Sequence, residues 1–336
     1  MMDILITGGA GYIGSHVAKL LLENTNHSLT IVDNLSTGFI EAIETLKTIR
    51  DFEFIKVDLS KWSEVESIFR SKRFDAVIHF AASLIVPESV ENPIKYYLNN
   101  TANGTNLIGL CLKYGVGKFI FSSTAAVYGE PELELAKDGI SETFPTNPIN
   151  PYGRSKLFVE HVLQDAAFSN NRFKYVILRY FNVAGASLDL KIGQRTKNAT
   201  HLIKVAAQTA LGIRDKMFIF GDDYPTHDGT CIRDYIHVCD LAKSHIDALG
   251  YLEKSASDIF NVGYGIGYTV KEVVETMKRV SGVDFPVEIT GRRPGDPAVL
   301  VANNEKIKKK MGFKPDYDSL EIICRTALEW ERKLLG

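Results

Sequence analysis

Short apolar runs alternate with longer helical patterns over the first 180 residues of the chain. Runs rich in β-branched residues predict strands at 4–7, 29–33, 52–57, 76–80, 118–122 and 175–179. Strands that are separated by helices favour a parallel sheet with helices on both faces. We therefore expect an α/β fold with a doubly wound parallel sheet.

After residue 182 the pattern changes to helices joined by longer polar loops. Helices are predicted at about 199–211, 238–252, 269–281 and 319–334, and polar loops at 187–198, 221–230 and 291–297. Residues 258–262 again resemble a strand, which the preceding helix would return to the main sheet. The expected organisation is a first domain over 1–181, rejoined by 236–262, and a smaller α/β C-terminal lobe over 182–235 and 263–336.

The composition is that of an ordinary globular protein and excludes several classes of partner. The 39 basic and 41 acidic residues give a formal charge of −2, so we expect no nucleic-acid partner. The apolar stretch at 77–86 is too short to cross a bilayer. Four cysteines without a CxxC pair predict neither a disulfide framework nor a metal site. The N-terminus has no basic segment followed by a cleavage site, so we expect a cytoplasmic protein.

Three glycines with dinucleotide-binding spacing follow the first predicted strand. Gly8, Gly11 and Gly14 lie in GGAGYIG, just before a helix predicted to begin near residue 15, and such glycines let a pyrophosphate approach the backbone amides. Asp33 ends the second predicted strand, where a carboxylate would hold the ribose hydroxyls. Residues 34–38 contain no Arg or Lys to accept a 2′-phosphate. The pattern favours a Rossmann domain that binds NAD rather than NADP.

The motif Tyr-x-x-x-Lys occurs twice, which proves little by itself in a chain with 14 tyrosines. Tyr114 and Lys118 are separated by two glycines and lead into a strand, so they would not share a helical face. Tyr152 and Lys156 instead follow Pro151, which favours the first turn of a helix. Residues four apart on a helix face the same way. The second pair is therefore the candidate active-site pair.

The chemistry of this pair suits proton abstraction from a sugar hydroxyl. A phenol with a pKa of about 10 is a poor base at neutral pH, but a nearby ammonium and a cationic nicotinamide ring favour the phenolate. Tyr152, beside Lys156, would then be the base. Thr124 follows the fifth predicted strand and would orient the substrate oxygen or share its proton.

Seven segments of the chain together resemble the extended short-chain dehydrogenase/reductase family, and within it the nucleotide-sugar 4-epimerases. They keep the family's order and spacing from end to end: GGAGYIGSH, DNLSTG, SSTAAVYG, NPYGRSK, RYFNVAGA, GTCIRDYIHVCDLA and RRPGDPA. The resemblance implies an NAD-dependent isomerase that interconverts UDP-galactose and UDP-glucose by oxidation and re-reduction at C4. It also implies an NAD-binding first domain, a UDP-sugar-binding lobe and a homodimer formed through helices at about 92–115 and 152–169.

The same resemblance implies the site residues. Tyr152 would be the base, Lys156 would bind the nicotinamide ribose and lower the pKa of Tyr152, and Thr124 would supply a third hydroxyl. Besides Tyr152 and Lys156, the residues implied to contact NAD are Gly8, Gly11, Tyr12, Ile13, Gly14, Asp33, Asn34, Leu35, Ser36, Thr37, Gly38, Asp58, Leu59, Phe80, Ala81, Ala82, Ser83, Asn99 and Phe181. Besides Thr124 and Tyr152, the residues implied to contact the UDP-sugar are Asn182, His201, Leu202, Phe218, Phe220, Arg233, Arg293, Asp296 and Leu300.

Two positions depart from the pattern of some family members. Leu84 stands where some members carry a lysine near the cofactor, and His201 stands where several have an asparagine beside the diphosphate. Leu300 matches a position whose bulk limits the sugar pocket, and some members have tyrosine there. A medium-sized residue at 300 leaves open a dual-specificity enzyme that also epimerises N-acetylated UDP-sugars.

Other functions remain as alternatives. In related 4,6-dehydratases an Asp-Glu pair follows the threonine, but here those positions are Ala125 and Ala126, which argues against dehydration. An epimerase of UDP-uronic acids stays open. A non-catalytic NAD-binding sensor on the same fold is a different class of function, and the complete Thr124, Tyr152 and Lys156 set argues against it.

Overall fold

The chain forms two compact units in the computed structural model, which describes residues 1–132, 136–196, 199–293 and 295–336. The first unit comprises Met1–Gly129, Pro145–Arg179 and Ala242–Phe260, and the second comprises Glu130–Phe144, Tyr180–Leu241 and Asn261–Gly336. Of the predicted polar loops, 187–198 and 291–297 include residues 197, 198 and 294, which lie outside the described residues.

The second unit includes residues that we expected in the first domain. Ile140, in the segment Glu130–Phe144, donates its amide to the carbonyl of Val301 at 2.9 Å. Its own carbonyl accepts the amide of Asn303 at 2.9 Å. Backbone pairing with a segment far along the chain, which no local pattern encodes, therefore accounts for the difference from the expected boundary.

The described residues contain thirteen strands, numbered in chain order: β1 Asp3–Thr7, β2 Ser28–Asp33, β3 Glu53–Lys56, β4 Ala76–His79, β5 Lys118–Ser122, β6 Lys174–Tyr180, β7 Asn182–Ala184, β8 Met217–Phe220, β9 Ile232–His237, β10 Asp258–Val262, β11 Gly267–Thr269, β12 Val287–Thr290 and β13 Val299–Leu300. The helices are α1 Tyr12–Asn24, α2 Ile40–Lys47, α3 Trp62–Ser71, α4 Val86–Glu91, α5 Pro93–Tyr96, α6 Asn103–Tyr114, α7 Pro151–Ser169, α8 Leu202–Ala210, α9 Val238–Lys254, α10 Val270–Ser281, α11 Glu305–Met311 and α12 Leu320–Leu335. A π-helix at Tyr97–Ala102 and a 3₁₀ helix at Ala125–Tyr128 complete the described helices.

A seven-stranded sheet forms the centre of the first unit. Its strand order is β10-β6-β5-β4-β1-β2-β3, and every pairing from β6 to β3 is parallel. The expected doubly wound sheet is confirmed. The strand predicted at 258–262 is β10, which lies at the edge of this sheet beside β6. The order reverses between β1 and β4, and open sheets of this kind bind ligands at such a point, beyond the carboxyl ends of the strands.

The core of the first unit lies between this sheet and its helices. All four residues of β4 are buried, as expected for a strand that is covered on both faces. Leu107 and Cys111 of α6 and Leu163 of α7 pack in one cluster with Phe119 of β5. This packing holds β5 and the later turns of α7 together, and the candidate site lies on the end of that strand and on the same helix.

The helix expected at 92–115 is interrupted. The π-helix Tyr97–Ala102 separates α5 from α6, and this irregular turn presents two asparagine side chains to hydrogen-bond partners elsewhere in the first unit. Single π turns inside helices often occur at functional sites. Helix α7 begins at Pro151, one residue before its predicted start. No helix within the described ranges is long and apolar enough to span a membrane.

The second unit is built on β9. This strand pairs with β7 and β13 in parallel and with β11 antiparallel, while β8 and β12 form a separate two-stranded sheet. Helices α8, α10 and α12 pack against one another. The α/β character of this unit agrees with the expected substrate lobe.

Candidate active site

The glycine turn between β1 and α1 is tight, and its glycines leave the backbone amides accessible to a ligand. Gly8 has a φ of +76°, and a Cβ there would lie 2.6 Å from the amide nitrogen of Ala81. A Cβ at Gly14 would overlap the carbonyl oxygen of Gly8. Helix α1 has neither a side-chain cap nor an acidic residue in its first turn. Its N-terminal amides and positive dipole end therefore fit a pyrophosphate.

Asp33 ends β2 with its carboxylate held by backbone amides. One oxygen accepts from Ala10 at 3.0 Å and the other from Leu35 at 2.8 Å. Burial raises the pKa of Asp33. A Cβ at Gly38 would lie 2.9 Å from this carboxylate, so the glycine keeps its face open. Each oxygen retains lone pairs for a hydroxyl donor, as ribose recognition requires.

The next two strand ends carry further predicted cofactor residues. Asn34 donates to Asp58 at 2.7 Å, and the pKa of Asp58 is lowered mainly by hydrogen bonding from Ser60. Beyond β4, the amide of Phe80 donates to the carbonyl of Thr7 at 2.9 Å. Leu59 is buried and joins the hydrophobic core. The structure thus brings Asn34 and Asp58 together and uses Leu59 for packing.

Ser83 is fixed by the π-helix. Its hydroxyl accepts from Asn99 at 3.1 Å, and its amide donates to Asn100 at 2.8 Å. The Asn100 side chain also donates to Ser155 at 2.9 Å, so it connects the cofactor loop to α7. Sequence reasoning missed Asn100, and the only local signal was its place beside Asn99. Leu84, by contrast, is half exposed.

Tyr152 lies buried in the first turn of α7. Asn150 caps the helix by accepting the amide of Gly153 at 2.9 Å, and the ring of Tyr152 packs edge-on against Tyr96. A Cβ at Gly153 would lie 2.6 Å from the carbonyl oxygen of Ala126. The start of α7 therefore lies directly against the 3₁₀ helix that follows Thr124.

Lys156 and Thr124 both lie at the end of β5. The Nζ of Lys156 donates to the carbonyl of Ser122 at 2.8 Å and lies 4.9 Å from the centre of the Phe121 ring. Burial lowers the pKa of Lys156 to about 7. The hydroxyl oxygen of Thr124 accepts a hydrogen bond from the backbone amide of Ala126 at 3.1 Å. The hydroxyl hydrogen of Thr124 can therefore still be donated to another group. The first unit thus supplies a phenol, an ammonium and a hydroxyl around one strand end.

The other Tyr-x-x-x-Lys pair has a different structure. Tyr114 is the last residue of α6, and Lys118 is the first residue of β5. The two side chains therefore do not share a helical face, as expected from the glycines between them.

Two arginines and an aspartate gather in the second unit. Arg293 donates to Asp296 at 2.9 Å and stacks 4.7 Å above Phe220. Arg233 lies 3.9 Å from the same carboxylate, and its side chain is largely buried. Two guanidiniums face one carboxylate, so the group has a net positive charge that suits a diphosphate. The carboxylate can accept hydrogen bonds from nearby hydroxyls. Sequence reasoning named these four residues, and the structure brings them together.

The remaining predicted substrate residues lie on strands or beside α8. On β7 and β13, Asn182 pairs with Tyr235 and Leu300 pairs with Arg233, so both flank β9. Phe218 lies near Phe220 on β8.

His201 precedes Leu202 at the start of α8. Its Nδ1 lies 3.1 Å from Nε2 of the Gln194 side chain. Asn182, His201 and Leu202 line one cavity of about 40 Å³. Phe181 is buried and belongs to the second unit, unlike the other predicted cofactor residues.

A family model described as "NAD dependent epimerase/dehydratase family" matches residues 4–263. The chain belongs to this family. The NAD dependent epimerase/dehydratase model thus covers the glycine turn, the candidate catalytic residues and β9.

Individual relatives match nearly the whole length of this chain. A UDP-glucose 4-epimerase of Azospirillum brasilense is 50% identical over 332 residues, covering 98% of this chain and 92% of the relative. The solved UDP-Glc/GlcNAc 4-epimerase of Campylobacter jejuni is 56% identical, with a TM-score of 0.87 over 99% of this chain and 100% of that chain. The UDP-glucose 4-epimerase of Bifidobacterium longum, solved with NAD⁺ and UDP, is 37% identical, with a TM-score of 0.93 over 98% of each chain.

Proposed function

We propose that this protein interconverts UDP-galactose and UDP-glucose by NAD-dependent oxidation and re-reduction at C4 of the sugar. The observation that carries the proposal is the buried pair Tyr152 and Lys156 on one face of α7, packed against the segment that carries Thr124. Family membership and the names of the relatives support the same reaction.

The first unit binds NAD through its open backbone and its strand ends. The amides at the start of α1 hold the pyrophosphate, and Asp33 holds the adenosine ribose hydroxyls. Gly38 keeps the Asp33 carboxylate accessible. When bound, NAD supplies the acceptor for the hydride from C4 and afterwards the donor that returns it to the opposite face.

Tyr152, Lys156 and Thr124 handle the proton of the C4 hydroxyl. Tyr152 removes that proton as C4 is oxidised and gives it back as C4 is reduced, so the cycle consumes no proton. Lys156 binds the nicotinamide ribose, and its positive charge stabilises the Tyr152 phenolate. Thr124 donates a hydrogen bond to the C4 oxygen and thereby orients it.

The second unit binds the UDP part of the substrate. Arg233 and Arg293 neutralise the diphosphate, and Asp296 accepts from ribose hydroxyls. Phe218 and Phe220 contact the nucleotide from β8. Asn182, His201 and Leu202 complete the contacts at β7 and α8, and Leu300 limits the space for the sugar.

The two positions after Thr124 argue against dehydration. Removing water from a keto sugar requires an acid and a base, but the residues that follow Thr124 are Ala125 and Ala126 at the start of the 3₁₀ helix. Reversible oxidation at one carbon needs only the groups described above.

The test is conversion of UDP-galactose by purified protein without added NAD, followed through the anomeric protons by NMR. Formation of UDP-glucose, together with NAD released on denaturation, supports the proposal. The matched variant Tyr152→Phe should lose turnover by at least about 100-fold, since general-base catalysis contributes at least that much. Full turnover by this variant would remove Tyr152 as the base.

N-acetylated substrates form a second candidate class. The Campylobacter jejuni relative, 56% identical, is named a UDP-Glc/GlcNAc 4-epimerase, and position 300 holds a medium-sized leucine here. Turnover of UDP-N-acetylgalactosamine beside UDP-galactose would establish both substrates, and no turnover would restrict the enzyme to the plain hexoses.

The assembly proposed for this protein is a homodimer, and its proposed location is the cytoplasm. Support for the dimer comes from apolar side chains at the surface of the first unit. Val90, Ile94 and Leu98 are each more than 60% exposed, and Phe158 of α7 is 46% exposed beside Tyr97. Apolar groups clustered at a surface mark sites of association.

A further inference from the structure

A buried ion pair joins α7 to β6 next to the candidate catalytic residues of the first unit. Glu160 of α7 is fully buried, and the Arg179 side chain on β6 is only 5% exposed. The Nε of Arg179 lies 3.2 and 3.1 Å from the two carboxylate oxygens, and one Nη lies 2.6 Å from Oε2. Because buried pairs are often no more stabilising than well-packed apolar residues, stability alone gives little reason for this pair.

The pair also binds both ends of the segment that carries Thr124. The hydroxyl of Ser123 donates to Glu160. The other Nη of Arg179 donates to the hydroxyl of Tyr128 at 3.0 Å, and the guanidinium lies 5.0 Å from the centre of that ring. Ser123 precedes Thr124, and Tyr128 ends the 3₁₀ helix that follows it. The ion pair therefore fixes Thr124 from both sides.

Glu160 lies one helical turn beyond Lys156, on the same face of α7. Its negative charge raises the pKa of Lys156 and so opposes the larger lowering that burial causes. Tyr152 faces Lys156 from the preceding turn of the helix.

Other elements around Lys156 bring further groups. From β4, His79 is buried close enough that Lys156 helps to lower its pKa. From β5, the carbonyl of Ser122 accepts from Lys156, and His245 of α9 lies 3.4 Å from the Ser122 hydroxyl. From β6, the guanidinium of Arg179 contributes a positive charge, which the carboxylate of Glu160 compensates.

We propose that Glu160 is a positioning residue for the reaction, which holds the Thr124 segment in place and keeps Lys156 positively charged beside Tyr152. This inference rests on the proposed function, since it takes Tyr152 as the base. In this proposal the carboxylate of Glu160 acts through Ser123, Arg179 and Lys156 and does not itself contact substrate or cofactor.

The test is the ionisation of Tyr152 in the NAD-bound protein, measured by ultraviolet difference absorbance of the phenolate against pH. The titration step that Tyr152→Phe lacks is the step of interest. In Glu160→Gln the cation of Arg179 is left uncompensated, so Lys156 loses its proton more readily and stabilises the phenolate less. The Arg179 cation also favours the phenolate directly, but it lies beside position 160, two helical turns from Tyr152, whereas Lys156 lies one turn away. The loss of the Lys156 charge therefore outweighs the direct effect of Arg179. We expect the step to move up by about one pH unit.

Glu331→Gln is the matched control. Glu331 pairs with Lys204 in the second unit, and both side chains are 5% exposed, so this variant also loses one carboxylate of a buried pair. We expect a lowered Tm in both variants and a moved titration step in Glu160→Gln alone. A step that stays at the wild-type pH in Glu160→Gln, despite a lowered Tm, overturns the inference.

Arg179→Gln covers the case in which Glu160→Gln does not fold. It leaves the carboxylate without its cation, so Lys156 holds its proton more firmly. The charge of Lys156, one helical turn from Tyr152, outweighs that of Glu160, two turns away, so the Tyr152 step should move to lower pH. An unmoved step again overturns the role of Glu160. If Tyr152→Phe keeps both the titration step and turnover, the proposed base fails instead, so the two failures are distinguishable.

Discussion

At the scale of single residues, the absence of a side chain at Gly14 matters as much as any functional group. The glycine turn can approach a pyrophosphate only while Gly8 and Gly14 remain in contact, because a Cβ at 14 would overlap the Gly8 carbonyl oxygen. The clash is with backbone and cannot be relieved by a rotamer change.

Gly14→Ala should therefore lose bound NAD and lower the Tm of the protein. The measurement is the NAD content of purified protein together with its thermal unfolding. Gly109→Ala in α6 is the control, since a Cβ there meets no atom within 4 Å. This control should retain NAD and gain up to about 1 kcal/mol of helix stability. Equal NAD content in both variants would contradict the assigned role of the turn.

Lys156 predicts a pH dependence of stability in protein stripped of cofactor. Because burial lowers the pKa of Lys156 to about 7, the folded state binds fewer protons than the unfolded state between this pH and about 10.4, the ordinary lysine value. Wild-type stability relative to Lys156→Met should thus rise with pH across this window, on the order of 1 kcal/mol per pH unit. Urea unfolding of both proteins at pH 7 and pH 9 measures the difference, and a constant difference would refute it.

Single-residue chemistry was predictable where neighbours in sequence carry it. The glycine turn, Asp33, Tyr152 and Lys156 each stand in a local pattern that implies their chemistry. Asn100 and Glu160 gave no such signal, because their partners lie 55 and 19 residues away in Ser155 and Arg179.

At the scale of elements, α7 and the 3₁₀ helix act as one unit through a close backbone contact. Asn150 caps α7, and Gly153 lets the helix approach the carbonyl of Ala126. This contact sets the position of Thr124 relative to Tyr152.

Gly153→Ala should separate these two elements and lower kcat by more than 10-fold, because small misplacements of catalytic groups are costly. NAD should stay bound, since the glycine turn lies elsewhere in the chain. Gly250→Ala in α9, where a Cβ meets no atom within 4 Å, should keep wild-type kcat. A Gly153→Ala enzyme with unchanged kcat would show that the close contact is dispensable.

The strands of the first unit were predictable from sequence, with bounds that agree within one residue at each end. Their apolar runs are continuous because both faces of the sheet are covered. The π turn at Tyr97–Ala102 was missed because its side chains bond to residues far along the chain. In the second unit, β7, β11 and β13 have only two or three residues, which is too few for an alternation of apolar and polar side chains to show.

At the scale of the whole molecule, the proposed homodimer predicts that a charge in the exposed apolar cluster disrupts association. Ile94→Arg places a cation where burial in a partner would desolvate it. We expect sedimentation analysis to give a dimer for the wild type and a monomer for this variant. Val283→Arg, at an exposed apolar position of the second unit, should remain dimeric. A dimeric Ile94→Arg protein would place the interface elsewhere.

The most direct test of the reaction uses UDP-galactose with deuterium at C4, purified protein, ordinary water and no added NAD. We expect NMR to show UDP-glucose that still carries the deuterium at C4, since the hydride leaves and returns without exchange with solvent. Conversion with loss of the deuterium to water, or no conversion by protein that holds NAD, would contradict oxidation and re-reduction at this carbon.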